Sequence, residues 1–148
     1  MSLNQGMMTS SSDEWTTPIE LFDALHNRFI FDLDAAASDE HHLCDRYYTK
    51  ENDGLVQSWE WRRVFCNPPY GQIAKWAEKF QAESSRARLI VALIPARTDT
   101  RWWHSYIKQA DLIWFLKGRL KFGDGAGSAP FPSALAFWFG LGRLKEEM

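Results

Sequence analysis

The sequence predicts a three-layer α/β domain with a mostly parallel sheet, because strand and helix patterns alternate along it. The clearest strand is residues 89–94, a continuous apolar run typical of strands that are buried on both faces. A shorter strand, residues 64–66, precedes it, and residues 71–84 between them place Ile73, Trp76 and Phe80 on one helical face. Strand, helix and strand in this order form the crossover unit of parallel sheets.

Turn and cap residues predict the first elements of the chain. Pro18 suits the first turn of a helix that carries Phe22 on its apolar face. Residues 29–33 are β-rich and predict a strand that ends at Asp34. Residues 39–60 are polar and contain turn signals, so little regular structure is expected there.

The later elements follow from the same signals. Thr98 or Asp99 can cap a helix that runs to about Gln109. Residues 112–116 and 134–139 predict the last two strands. No helix joins these strands, so we expect an antiparallel pair, with an antiparallel strand at one edge of the sheet.

Length and composition favour one soluble domain. The chain has 148 residues, so we interpret residues 13–148 as a single domain without a separate recognition domain, after a polar, disordered segment at residues 1–12. The chain has only two cysteines and no signal-peptide pattern, so we expect a cytoplasmic protein. Its apolar runs are too short to cross a bilayer, so we expect no membrane role. Eight Trp and ten Phe exceed the usual needs of a core, so some rings are expected in a cleft.

Charge is distributed unevenly along the chain. The net charge is −2, but residues 97–148 carry an excess of positive charge. Binding to a polyanion depends on local positive potential, so this last third is the expected face for a nucleic acid.

The motif Asn67-Pro68-Pro69-Tyr70 directly follows the strand of residues 64–66. Proline has no N–H, so Pro68 and Pro69 end the strand pairing and stiffen the loop. The Pro68 carbonyl and the Asn67 side-chain oxygen can then accept both hydrogens of an aromatic amine, which directs its lone pair towards an electrophile. Tyr70 offers a face for base stacking. The alternative interpretation is an ordinary turn with a rim aromatic.

Six motifs spread over most of the chain accompany this interpretation: Glu14-Trp15-Thr16-Thr17-Pro18, Phe31-Asp32-Leu33-Asp34-Ala35-Ala36-Ala37-Ser38, Asn52-Asp53-Gly54-Leu55, Phe65-Cys66-Asn67-Pro68-Pro69-Tyr70, Pro95-Ala96-Arg97-Thr98-Asp99-Thr100 and Lys117-Gly118-Arg119-Leu120-Lys121-Phe122. The four-residue loop resembles that of the amino-methyltransferase superfamily, where an Asp/Asn-Pro-Pro-Tyr loop holds the target amine. The six motifs together resemble the phage-type DNA N6-adenine methyltransferase family.

This resemblance implies a Rossmann-like methyltransferase fold and an enzyme that transfers a methyl group from S-adenosylmethionine to the N6 amino group of adenine in DNA. It places the protein in the cytoplasm of a bacterium or a phage-infected host cell. Two alternatives remain open. One is the same chemistry on RNA or on a protein glutamine, because related enzymes share the loop, and the other is a catalytically silent DNA-binding module.

The resemblance also implies a site for the methyl donor. Asp34, at the end of the first strand, is expected to meet the amino-acid moiety of the donor, and Asp53 its adenine amino group, although a helix cap and a plain turn are the alternatives. The full expected donor site is Thr16, Thr17, Pro18, Asp34, Ala35, Ala36 and Asp53. The chain departs from many methyltransferases in having no glycine at residues 35–38. The residue that contacts the ribose stays open.

Two clusters with positive charge are the expected DNA contacts. Arg119, Lys121 and Phe122 precede a glycine-rich loop, where the cations can meet phosphates and Phe122 can stack on a base. The alternative places Phe122 inside the final hairpin. Arg97 belongs to a second candidate surface. Adjacent histidines at residues 41–42 without paired cysteine spacing predict no metal site.

Overall fold

The computed structural model describes residues 15–123 and 127–141. Within them the helices are α1 (Ile19–Phe29), α2 (Ile73–Glu83) and α3 (Arg101–Ser105), with two 3-10 turns, Tyr70–Gln72 and Ile107–Gln109. The strands are β1 (Leu33–Asp34), β2 (Arg63–Cys66), β3 (Leu89–Pro95), β4 (Leu112–Phe115) and β5 (Ser133–Trp138). The predicted alternation of strands and helices is therefore confirmed.

The five strands form one mixed sheet in the order β1-β2-β3-β5-β4. β1, β2 and β3 pair in parallel, whereas β5 runs antiparallel to both of its neighbours. The expected antiparallel pair of the last two strands is present at one edge, but the reversed strand is β5, one position inside the sheet. Burial explains this order, because every residue of β5 is buried while Leu112, Trp114 and Phe115 of the edge strand β4 are exposed.

Helices cover both faces of the sheet. Ile90, Ala92 and Ile94 of β3 pack in one core cluster together with residues of α2 and α3. The alternating residues of β3, among them Val91 and Leu93, pack in a second cluster with residues of α1. Side chains alternate between the two faces of a strand, so the sheet is the middle of three layers.

The first strand is shorter than expected. The prediction of a strand over residues 29–33 was wrong for residues 29–32, because α1 continues to Phe29 and Ile30 then turns with a left-handed φ of 53°. Arg63 holds this turn by donating from Nε to the Phe29 carbonyl at 2.7 Å. Only Leu33 and Asp34 pair with β2, so Asp34 ends the strand as predicted.

The helix after β3 also differs from its prediction. Thr100, not Thr98 or Asp99, caps α3, because its side chain accepts from the Trp103 N–H. The helix ends at Ser105 and a 3-10 turn reaches Gln109. At α1, Pro18 lies immediately before the first helical residue.

The segment between β1 and β2 has little regular structure, as predicted, but it is tied closely to the sheet. A Cβ added to Gly54 would lie 2.2 Å from the Ala35 carbonyl oxygen, so no larger residue fits without movement of the backbone. The Trp59 indole N–H donates to the Gly54 carbonyl at 3.0 Å. The turn that carries Asp53 is therefore pressed against the end of β1.

Most of the segments that carry the expected site residues follow strands that end at the same edge of the sheet. The carboxyl ends of β1, β2 and β3 meet there because these strands are parallel, and ligands of α/β sheets bind at such ends. The amino end of β5 lies at the same edge, since Ser133 pairs with Pro95. None of the helices within the described ranges has the length and apolar character needed to cross a membrane.

Candidate active site

Asn67 follows β2 directly, and its side-chain amide is held by the segment that precedes α1. Nδ2 donates to the main-chain carbonyl of Trp15 and, at 3.0 Å, to the Thr17 hydroxyl. Oδ1 is buried and has no hydrogen-bond partner among the described residues. A buried polar atom without a partner is costly, so this oxygen is a candidate acceptor for a ligand.

The residues after Asn67 form a rigid turn into α2. Pro68 is buried, and Pro69 is extended at φ −65° and ψ 122° before the 3-10 turn that starts at Tyr70. The Tyr70 hydroxyl donates to the Leu93 carbonyl at 3.4 Å, and burial raises the pKa of this phenol well above its usual range. Tyr70 is thereby held as a neutral aromatic wall, since ionisation is disfavoured.

A cleft of about 430 Å³ opens beside Tyr70. Its lining is mostly aromatic and apolar, with two polar side chains, Arg97 and Thr100: the residues are Trp15, Tyr70, Gly71, Ile73, Pro95, Arg97, Thr100, Trp102, Pro130 and Phe131. The Phe131 ring meets Trp15 and Tyr70 edge to face at centroid distances of 5.4 Å and 5.5 Å. An apolar cleft with a few polar groups suits a flat ligand such as a nucleobase.

Asp34 is the most strongly perturbed carboxyl group at this edge. It is only 4% exposed, and burial raises its pKa from 3.8 to about 6 although the Leu43 N–H donates to it at 3.0 Å. Ala35 is buried and Ala36 partly buried beside it. The carboxyl group thus stabilises the following loop and gains from any cation that approaches it.

The other expected donor residues lie at separate points of the same edge. Thr17 contacts Asn67, while Thr16 is exposed and its carbonyl accepts from the Gly123 N–H at 2.9 Å. Asp53 accepts from the Leu55 N–H at 3.0 Å and has a left-handed φ of 52°. This contact is typical of a turn aspartate, the alternative role of Asp53.

The expected DNA contacts differ in their exposure. Arg97 is exposed at the cleft, with its guanidinium 5.9 Å from the Phe131 ring centre, and Lys121 is exposed. Arg119 donates to the Ala129 carbonyl at 3.5 Å. Phe122 is only 7% exposed and meets other rings, so it is an internal residue, the alternative given above, and has no free stacking face.

Trp15 is a site residue that the sequence interpretation did not single out. Its carbonyl binds Asn67 and its ring packs edge to face on Phe122 at 5.4 Å. The excess of tryptophan was the available signal, but it could not say which ring lines the cleft.

The adjacent histidines at residues 41–42 belong to no group that could hold a metal ion among the described residues. Across residues 15–123 and 127–141, no three or more His, Cys, Asp and Glu side chains are grouped to hold an ion. His42 instead stacks on Tyr47 with centroids 4.0 Å apart.

Comparisons with known proteins place the chain in a family. The family described as DNA N-6-adenine-methyltransferase (Dam) matches residues 5–133. A DNA N-6-adenine-methyltransferase of Escherichia phage T1 is 33% identical over 105 residues, which are 69% of this chain and 44% of the relative. One of Haemophilus phage HP1 is 25% identical over 117 residues, 76% of this chain and 68% of the relative. The match thus spans less than half of the phage T1 protein, and the chain belongs to the DNA N-6-adenine-methyltransferase family.

Proposed function

We propose that this chain transfers a methyl group from S-adenosylmethionine to the N6 amino group of adenine in DNA, on a Rossmann-like methyltransferase fold. The observation that carries the proposal is the buried Asn67 Oδ1, which has no partner among the described residues and lies at the carboxyl end of β2. The two phage relatives are described as DNA N-6-adenine-methyltransferases, and an amine is a group that this oxygen can accept from.

Asn67 aligns the amine in this proposal. Its Oδ1 accepts one amino hydrogen and the Pro68 carbonyl accepts the other, which concentrates the nitrogen lone pair on the side away from both acceptors. Tyr70 supports the face of the base. Asn67 is no base, because the amine can release its proton to solvent after the new bond has formed, and the rate gain comes from orientation.

The residues at the end of β1 fit a positively charged donor. The Asp34 carboxyl group has a raised pKa in a buried position, so a cationic group beside it stabilises the ionised form. The small side chains of Ala35 and Ala36 leave room for close approach. S-adenosylmethionine, when bound, supplies an electrophilic methyl group on a sulfonium sulfur.

Three positive side chains, of which Arg97 lines the cleft, are the proposed DNA contacts. Arg97, Arg119 and Lys121 would bind phosphates, and the base would leave the stack to enter the cleft beside Tyr70. Both cysteines are unpaired and the relatives come from phages, which favours the reducing cytoplasm of a phage-infected bacterium as the place of action.

Methyl transfer tests the proposal directly. The purified chain is incubated with labelled S-adenosylmethionine and adenine-containing DNA of varied sequence, and the product is identified as N6-methyladenine. Asn67→Ala should lose most of its turnover but keep donor affinity, as measured by calorimetry, because its oxygen serves the target base. Transfer to RNA or to a glutamine-bearing protein instead of DNA contradicts the proposed substrate, and DNA binding without donor binding indicates a silent module.

A further inference from the structure

The Asn67 amide can lie in two orientations that differ by a half-turn, and they present opposite chemistry to the site. One presents an acceptor oxygen and the other two N–H donors. An adenine amino group that donates both hydrogens is held by the first orientation and repelled by the second. The neighbours of the amide therefore decide whether the site can bind its substrate.

One neighbour selects the acceptor orientation and a second stabilises it. The Trp15 main-chain carbonyl lies against Nδ2 and can only accept, so an oxygen in that place would face another oxygen. The Thr17 hydroxyl accepts the second Nδ2 hydrogen at 3.0 Å. Both N–H groups are then used on one side, and Oδ1 is left buried without a protein partner among the described residues.

Residues 15–17, which supply the carbonyl and the hydroxyl, are held by contacts on one side and by the start of α1 on the other. The Trp15 ring meets Phe122 and Phe131 edge to face, each at 5.4 Å. The Thr16 carbonyl accepts from the Gly123 N–H at 2.9 Å, and α1 begins directly after Pro18. A clamp of this kind holds a hydrogen-bond partner in place without further ordering.

We propose that Trp15 and Thr17 are positioning residues: the Trp15 carbonyl orients the amide of Asn67 so that its oxygen faces the target amine, and the Thr17 hydroxyl holds the amide in that orientation. This inference rests on the function proposed above. It assigns Thr17 a role through Asn67, whereas the resemblance to known methyltransferases places this residue at the donor.

The inference also predicts that the surroundings of residue 67 in this chain suit Asn better than Asp. Superfamily members with Asp in this place need no choice of orientation, because both carboxylate oxygens accept. In an Asn67→Asp variant of this chain, the new carboxylate would set one oxygen against the Trp15 carbonyl, and protonation of that oxygen would turn the repulsion into a hydrogen bond. The variant should therefore be impaired at neutral pH and recover activity as the pH falls.

The decisive variants are Thr17→Val, which removes the hydroxyl at nearly constant shape, and Thr17→Ser, which keeps it. We expect Thr17→Val to lower kcat by about tenfold, the effect of one lost hydrogen bond, with donor affinity unchanged, and Thr17→Ser to restore most of the rate. In the Asn67→Ala background, Thr17→Val should change nothing further, because the group it orients is gone. Donor affinity is measured by calorimetry and folding by thermal unfolding.

The outcomes separate the two proposals. If the unaltered chain does not methylate adenine in DNA, the proposed function is wrong and this inference falls with it. If the unaltered chain is active and Thr17→Val has the same kcat, only the positioning role is overturned. The same conclusion follows if Thr17→Val weakens donor binding to the same extent in the unaltered chain and in the Asn67→Ala background. If the Asn67→Asp variant has the same activity as the unaltered chain at every pH, the positioning role is overturned as well. This test does not depend on a substitution at Thr17.

Discussion

Replacing Asp34 by asparagine should stabilise the protein at neutral pH and weaken donor binding. The Asp34 carboxyl group is 4% exposed, so its ionised form lacks the hydration that it has in the unfolded chain. An amide of the same shape keeps an oxygen for the Leu43 N–H, which donates to the carboxyl at 3.0 Å, and carries no charge. The substitution removes the unfavourable burial of charge but also the partner proposed for a cationic donor.

The size of the effect follows from the pKa of Asp34, which burial raises from 3.8 to about 6. A rise of about two units corresponds to about 3 kcal/mol. The folded state holds the proton more tightly than the unfolded state between these two values, so stability falls as the pH rises through about 4 to 6. The stabilisation by the bound proton is complete below the pKa of the unfolded chain, 3.8, and is lost above the pKa of the folded chain, about 6. Asp34→Asn has no such proton, so its stability should not change with pH for this reason.

Urea unfolding at several pH values between 4 and 7 measures the difference in free energy between Asp34→Asn and the unaltered chain. The variant should gain up to about 3 kcal/mol relative to the unaltered chain across this range. Asp32→Asn removes an exposed carboxylate two residues away and reports any general effect of lost charge. A difference that stays constant from pH 4 to 7 would refute the reasoning, and unchanged donor affinity would refute the proposed role in binding.

Three further substitutions test other contacts. Glu83→Ala should destabilise the fold by about 3 kcal/mol, because Lys79 loses its ion-pair partner at 2.8 Å in a mostly buried place and the Trp59 N–H loses its acceptor. Chemical unfolding checks this, and Glu83→Gln should cost less. Gly140→Ala should lower the free energy of unfolding by about 2–4 kcal/mol, because φ is +49° and the new Cβ would lie 2.1 Å from a main-chain oxygen. Gly118→Ala should lower it by about 1 kcal/mol, because φ is +74° but the space around the new Cβ is open. Thermal unfolding of the pair compares them, and equal losses would contradict the steric argument. Arg97→Ala should weaken DNA binding at every sequence and reduce the slope of log affinity against log salt by about 0.9, and a titration series in which that slope is unchanged would exclude a phosphate contact.

Local pattern predicted the elements whose signal lies within a few residues. The apolar face of α2 and the continuous apolar run of β3 follow from spacing alone. The end of α1 was missed because Ile30, a β-branched residue, adopts a left-handed φ that its sequence context does not signal. The interior place of β5 was missed because strand order depends on contacts between distant segments.

The candidate site divides in the same way. The loop at Asn67 could be recognised from four consecutive residues, and the chemistry of an amine acceptor followed from them. The orientation of its amide could not, because Trp15 and Thr17 lie about fifty residues earlier in the chain. The burial of Phe122 was likewise hidden, since an aromatic residue next to cations is equally consistent with a surface and with a core.

The position of β5 has a consequence for the order of folding. This strand is the last in the described part of the chain, yet it lies between β3 and β4. Until it has been synthesised, the edge of β3 is unpaired and β4 has no strand to join, so a chain still on the ribosome exposes the most apolar edge of its sheet. Nascent chains that stop before residue 133 are therefore expected to aggregate, and completion of β5 closes the sheet in one late step.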